Sequence, residues 1–454
     1  MNFNNNYFSH LVFDNSLTSE NYSQSRTFVT APSELKTIKN KLPVTESHWI
    51  SPPNALELSW RSRYGGDWTA EIHVESWRGR DMHLEGDHLC LWMRAEQGIV
   101  GDALPMIQLV LEPGGETPPL PLNQFVEQLP TSEWVHVKIP FAAFDSFTGD
   151  FGNLRQIIFQ QSVADDQPHT IYLDEIKVRH LDDNPPVQAP TGLTAHGYDS
   201  HVDLVWGDIT DSAVEYIMVY RSDDGMNFVP IGIQNPTFNR FTTPVDEYKT
   251  THFRITTVNA AYQESAPSAV ASAITRALND DELLTMTQEA HFRYYWEGAH
   301  PDAGLALESI PGDPNLVALG AAGFGIMTWI VGVERGFITR QQAVERMHTA
   351  LAFLDKADRY HGVWSHFMDG RTGKTIPLFG KYDNGGDLVE TGFMCQGLLT
   401  ARQYFDHDTD DERQLRDTIT RLWEGVEWNW YRNPPDSEYL MWHWSPDYGW
   451  HINH

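Results

Sequence analysis

The chain has 454 residues, enough for roughly three domains, and its 41% apolar content is enough to bury real cores. Its 62 acidic residues outnumber 32 basic ones, and the formal net charge of −30 argues against nucleic acid and anionic membrane surfaces, both of which need a basic footprint. Such a balance fits a solvated surface or a neutral partner, and the 12% aromatic content fits both packed cores and the stacking faces that sugars use.

The N-terminus, "MNFNNNYFSHLVFDNSL", has neither a basic n-region nor an apolar h-region, and no apolar run is long enough to span a membrane. Short alternating runs follow: "NALELSW" (54–60), "WTAEIHVESW" (68–77), "HLCLWMRA" (88–95), "MIQLVLE" (106–112), "WVHVKIPF" (134–141), "RQIIFQQS" (155–162) and "TIYLDEIKV" (170–178). Period-two strands at this spacing predict an all-β sandwich over residues 1–183. In order, the "FDNS" stretch (Phe13–Ser16), "PPNALELSW", the Trp–Val–Ile–Pro–Phe strand and "YLDEIKV" resemble a jelly-roll carbohydrate-binding module. A structural sandwich without a ligand fits the same pattern.

The proline-rich "DDNPPVQAP" (182–190) removes backbone donors and favours extended chain, as an inter-domain connection does. Over residues 184–278, "GLTAHGYDSHVDLVWGD" predicts two strands ending near Trp206. "VEYIMVYRSDDGMNFVPIG" predicts a hairpin around Asp223-Asp224-Gly225, and "THFRITTVNA" a late strand. The segment closely resembles a fibronectin type III module, and such modules are usually spacers.

From residue 279 the pattern becomes helical. Asp280 and Asp281 can cap a first helix carrying Leu284, Gln288, His291 and Tyr295 at helical spacing. A second, at about 314–334, is apolar nearly all round and dotted with glycine, which predicts burial. Thr339 is an N-cap for a third, with Ala343, Met347, Ala350, Phe353 and Leu354 as its stripe. A fourth spans 387–405, with Phe393, Gly397, Leu398 and Ala401 on one face, and a fifth about 410–428, with Leu415, Ile419 and Leu422. Long helices of this kind suggest pairs in two concentric layers. The aromatic loops 359–386 and 431–454 are of the length that usually carries function. Cys90 and Cys395, in different halves of the chain, define no disulfide framework and no metal cluster.

"FRYYWEGAHPDAGL" (292–305), "LGAAGFGIMTWIVGVERGFITRQQA" (319–343), "HGVWSHFMDGRTGK" (361–374), "VETGFMCQGLLTARQYFD" (389–406) and "LWEGVEWNWYRN" (422–433) occur in that order. They resemble the glycoamylase-like (α/α) barrel family, which includes endo-β-1,2-glucanases and the glucan-processing domain of cyclic β-1,2-glucan synthases. The resemblance implies a multidomain protein: jelly roll, fibronectin-like sandwich and, over 279–454, a partial α/α-toroid of about five helices of an (α/α)6 barrel. It implies a glycoside hydrolase of β-glucan, with a periplasmic or secreted setting and no cofactor. Family members continue past the "WHINH" stretch into another carboxylate and the second half of the ring, so the barrel reads as truncated and its activity in this form as open. A non-catalytic glucan-binding protein is the alternative.

Asp387 and Glu390 stand three residues apart ahead of the fourth helix. Asp at the N-cap with Glu at N3 makes an ordinary capping box. The same spacing places both carboxyls on one face beside a Gly-rich loop, where glycoside hydrolysis could use them as acid and base; the family's matching acids lie in its cleft. Substrate-binding candidates are Asp383 in that loop, Trp364 and His366 in the stretch resembling the cleft wall, and Trp442, Trp444 and Trp450 in the last loop. His443, His451 and His454 raise the question of a metal, but no ligand set is complete and none is expected.

Overall fold

The computed structural model describes residues 7–74, 83–144, 147–181, 184–310 and 312–452. The end of the 68–77 run, the first two residues of the proline-rich stretch and His454 lie outside the described residues. The chain divides into two compact units, whose sequence boundary falls between Ala277 and Leu278.

In the first unit, alternating residues build two antiparallel sheets. One contains, in order, Trp134–Pro140, His88–Ala95, Pro168–Arg179, Ala55–Arg61 and Glu34–Leu35, and Leu11–Phe13 and Val44–Thr45 pair at its side. The other contains Gly115–Glu116, Met106–Leu111, Leu154–Gln160, Asp67–His73 and Ser25–Thr30. The period of two turns Ile107, Leu109 and Leu111 inward and leaves their neighbours half-exposed. Leu58, Leu91, Ile157 and Phe159 share the core with Trp60 and Trp68, whose rings lie 5.3 Å apart. The result is a jelly roll.

Two details differ from the sequence reading. The early strand is Leu11–Phe13 rather than 13–16, because Asp14 and Asn54 bond the amides of Asn15 and Ser16 and bend the chain there. Ser25–Thr30 is a strand with no apolar alternation to announce it: it is an edge, and Phe28 is exposed.

A three-stranded sheet (Thr194–Gly197, His201–Val205, Arg240–Pro244) and a four-stranded one (Val229–Gln234, Val214–Ser222, Thr250–Asn259, Ala271–Ile274) follow. They enclose Trp206 with Leu204, Ile217, Phe253 and Ile255. The hairpin turns where expected: Gly225 takes φ +72° and the Asp224 carboxylate accepts the amides of Met226 and Asn227, each at 2.8 Å. The proline-rich stretch is not free. Thr257 Oγ1 donates to the Gln188 carbonyl at 2.6 Å, and Asn259 Nδ2 to that of Pro185 at 3.0 Å.

The two sandwiches share a buried seam, so the second is seated on the first rather than strung from it. Tyr7 and Leu11 pack with Tyr216, Met218 and Val258. Beside them Lys177, fully buried, lies 2.6 Å from Glu175 and 2.9 Å from Glu215, and Arg179 lies 2.6 Å from Glu215. The Tyr262 ring meets the stacked pair Trp92 and His136 edge-on, at 5.2 and 5.5 Å.

The second unit holds five α-helices among the described residues: α1 (Asp280–Trp296), α2 (Leu319–Glu334), α3 (Arg340–Lys356), α4 (Leu388–Tyr404) and α5 (Asp410–Glu424). The N-cap of α1 is Asn279, in a full capping box with Glu282; Asp280 and Asp281 fall in its first turn. Its buried residue is Phe292, whereas Leu284 is half-exposed, so the expected stripe of α1 is wrong by one step. Helix α2 starts at Leu319 because Leu316–Ala318 pairs as a strand with Phe367–Asp369. Thr339 caps α3 with Gln342, as expected, although Phe353 is only half-buried.

Helices α2 and α4 touch backbone to backbone. A Cβ on Gly323 would lie 2.4 Å from the Phe393 carbonyl oxygen, and one on Gly397 2.3 Å from that of Gly323. Phe393 therefore leaves the expected buried face of α4. It is 39% exposed and packs on Phe324, ring centroids 5.2 Å apart. No helix among the described residues is long and apolar enough to cross a membrane.

Candidate active site

Three two-strand ladders gather the loops around the N-termini of α2 and α4. Leu316–Ala318 pairs with Phe367–Asp369, Arg359–Tyr360 with Val363–Trp364, and Gly386–Asp387 with His443–Trp444. The Leu319 amide donates to the His366 carbonyl at 3.0 Å, and the Leu388 amide to that of Trp442 at 2.7 Å. The long aromatic loops thus meet the starts of the two glycine-packed helices.

Asp387 is the N-cap of α4 and is 2% exposed. One oxygen accepts the Glu390 amide at 3.0 Å; the other accepts the indole Nε1–H of Trp442 at 2.8 Å and lies 3.5 Å from His366 Nδ1. Only half of the expected capping box forms. Glu390 does not reach back to its own helix; its Oε2 accepts the Gly320 amide at 2.8 Å, in the first turn of α2. The reason is local: Ala318, the N-cap of α2, has no side-chain acceptor, and the positive end of that helix draws the carboxylate across. Glu390 Oε1 lies 3.9 Å from His366 Nε2, so one imidazole stands between the two carboxyls.

Burial dominates the electrostatics. It pushes the Asp387 carboxyl up to about 6 against the lowering by the Glu390 amide and the Trp442 indole, and the like charge of Asp383 adds to it. Burial also raises Glu390, with Asp387 and then Glu308 as like charges beyond the offset from the Gly320 amide. Asp383, 6% exposed, is pushed by burial to about 6 despite the Phe379 amide at 3.3 Å.

The other expected site residues separate. His366 joins the carboxyls, stacked on Phe367 with centroids 3.9 Å apart. Trp442, 41% exposed, offers a ring face and binds Asp387. Trp364 does not belong: it is 0% exposed, its Nε1–H donates to the Leu354 carbonyl at 3.0 Å, and the Arg359 guanidinium covers it at 4.4 Å. No sugar can stack on a ring in the core. Trp444 packs against His361 and Trp430 at 5.1 and 5.9 Å, on the side of its ladder away from Asp387. Trp450, half-buried, meets Tyr431 edge-on at 5.8 Å. Two neighbours of the site were not among the candidates. Glu308 shows no periodicity or motif that would mark it, and His443 drew notice only through the metal question. Among the described residues no group of His, Cys, Asp and Glu could hold a metal ion.

Residues 9–180 match the family model described as carbohydrate binding domain 30. The chain is 42% identical, over 98% of its length, to an exo β-1,2-glucooligosaccharide sophorohydrolase acting at the non-reducing end, from Parabacteroides distasonis. It spans 63% of that protein's length. A crystal structure of a β-1,2-glucanase from the same organism superposes with a TM-score of 0.88 at 42% identity, covering 98% of this chain and 64% of the other. A Chitinophaga pinensis endo-β-1,2-glucanase, solved with sophorotriose and glucose, is 47% identical over 39% of this chain and 43% of its own, with a TM-score of 0.37. The chain thus carries a match to carbohydrate binding domain 30 at its N-terminus and is similar along nearly its whole length to the Parabacteroides protein, of which it spans less than two thirds.

Proposed function

We propose that the protein is a glycoside hydrolase of β-1,2-linked glucan or its oligosaccharides, and that Asp387 and Glu390 are its working acids. The observation that carries this is the meeting of a buried carboxyl, Asp387, and a half-buried one, Glu390, at adjoining helix N-termini, with one imidazole between them. Hydrolysis needs a proton delivered to the leaving glycosidic oxygen while water adds to the anomeric carbon. An acid titrating near 6 still holds part of its proton close to neutrality, which suits Asp387 to the donor role. Glu390, tied to the start of α2, is suited to hold or move a proton on the opposite side of His366. The exposed ring of Trp442 offers a stacking face, and Asp383 and His366 polar contacts, for a neutral sugar.

The relatives' names supply the linkage, and the net charge of −30 agrees with an uncharged substrate. On this reading the five helices are part of an α/α-toroid, and residues 1–183, 184–278 and 279–454 are its jelly-roll, fibronectin type III-like and barrel domains. The jelly roll's family match favours a second role, glucan binding without turnover. Release of reducing ends from linear β-1,2-gluco-oligosaccharides by the full-length polypeptide tests the first role. Binding with no release of reducing ends would overturn it in favour of the second.

A further inference from the structure

Beside the two acids stands a buried imidazole that the hydrolytic reading leaves unused. His443 is 2% exposed, and both of its ring nitrogens are buried with no hydrogen-bond partner. Leaving two such groups unpaired is unfavourable, so a buried imidazole in this state calls for an explanation. The ladder fixes the place of the ring. His443 stands opposite Asp387, and its Nε2 lies 3.8 Å from Asp383 Oδ1, about 1 Å beyond a charge-assisted hydrogen bond. The backbone around this gap is held from both sides. Gly385 has no room for a Cβ, which would lie 2.0 Å from the Trp444 carbonyl oxygen, and Ser445 Oγ donates to Asn384 at 2.6 Å. The Asp383 backbone is tied through its amide to the Gly380 carbonyl at 2.9 Å, whereas its carboxylate accepts a long contact from the Phe379 amide at 3.3 Å, and Phe379 is 56% exposed. Of the two partners, it is therefore the Asp383 carboxylate that can move, by rotation of its side chain.

We propose that His443 is a positioning residue: when a gluco-oligosaccharide covers Phe379 and Trp442, the gap closes, Nε2–H donates to Asp383 Oδ1, and the fixed Asp383 carboxylate holds the proton on Asp387. The proposal rests on the hydrolase reading for its consequence but not for the pair itself. Catalytic hydrogen bonds are often long before substrate binds and tighten in the complex. Burial lowers the imidazole to about 4, so it is neutral near pH 7 and has one N–H to give. The groups that meet at the site are Asp383, Asp387, Glu390, Glu308, His366 and the buried Tyr431. Among them Asp383 is the carboxylate whose charge raises Asp387, and His443 is the neighbour placed to stabilise that charge.

His443→Phe keeps a ring and removes both unpaired nitrogens, so an imidazole that only fills space should be replaced with activity intact. The proposal expects a folded variant whose kcat falls by roughly 10- to 100-fold, the range of a hydrogen bond to a charged group, while KM changes less than about threefold. It also expects the alkaline limb of kcat to move to lower pH, because Asp383 then keeps its proton and Asp387 loses the like charge. His443→Gln, which retains an N–H donor, should recover most of the loss. A Phe variant with wild-type kcat and an unmoved limb overturns the pair. A second measurement is independent of turnover: ¹⁵N-histidine NMR of the Glu390→Gln protein with a β-1,2-gluco-oligosaccharide. A new hydrogen-bonded Nε2–H signal, absent from the doubly substituted His443→Phe protein, is expected, and no such signal with the sugar bound overturns the proposal. That signal, together with an unsubstituted protein that releases no reducing ends, would leave the pair standing and sink the hydrolase reading instead.

Discussion

On the proposed reading Asp387 and Glu390 each have two jobs, holding a helix start and moving a proton, and the jobs can be separated by substitution. Asn caps a helix about as well as Asp, and Gln can still accept the Gly320 amide. Asp387→Asn and Glu390→Gln should therefore each change stability by no more than about 1 kcal/mol. Neither amide can exchange a proton, so activity should fall by roughly 10²- to 10⁴-fold. Melting curves and reducing-end assays on the same preparations test both halves, and near wild-type turnover would reduce the acids to capping groups. The pH dependence follows from their burial. A donor titrating near 6 makes the rate fall as pH rises through 6. Asp383 and Asp387 are raised from 3.8, so the stability they contribute is full below 4 and is lost as pH rises through 6. Site formation and proton donation thus weaken in the same direction, and a pH–rate profile with its alkaline limb well above neutrality would contradict this.

At the scale of helices, glycine decides how α2 and α4 meet. Alanine is the better helix former by about 1 kcal/mol, so the sign of each substitution depends on what its Cβ would touch. At Gly323 and Gly397 it would meet carbonyl oxygens at 2.4 and 2.3 Å. Backbone cannot move aside as a side chain can, so Gly323→Ala and Gly397→Ala should destabilise by about 2 kcal/mol or more net of propensity. At Gly392, in the same helix, a Cβ would meet nothing within 4 Å. Gly392→Ala should stabilise by about 0.5–1 kcal/mol. Denaturant titration of the three variants reads the contrast, and three changes of the same sign would refute close α2–α4 packing. Helix positions and the caps Thr339 and Asp387 were legible in the sequence, because periodicity and capping are local. The face of α1 and the exposure of Phe393 were not, since each depends on which neighbouring helix occupies which side.

In the first unit the seam between sandwiches joins them into one body through charges with little access to water. Burial pushes the Glu215 carboxyl up, but Lys177 and Arg179 outweigh it and hold it at about 2, below the ordinary 4.5. The sign is opposite to that of the site acids: this stability is present above 4.5 and is lost as pH falls toward 2. Glu215→Ala leaves Lys177 with Glu175 and strips Arg179 of its partner, which should destabilise the unit by about 3–5 kcal/mol. Calorimetry should show the first-unit transition broadened or split; an unchanged transition would mean the seam carries little. By itself the sequence determined the succession of two sandwiches and five helices, the acidic charge balance and the candidacy of Asp387 and Glu390, because alternation, helical period and capping are written within a few residues. Only the tertiary structure decided that Glu390 caps α2 rather than α4, that Trp364 is core while Trp442 binds Asp387, that His443 faces Asp383, and that the second sandwich rests on the first. The contacts of Glu390 and Trp442 join groups 70 and 55 positions apart, and the seam joins groups in different sandwiches; no local pattern records them.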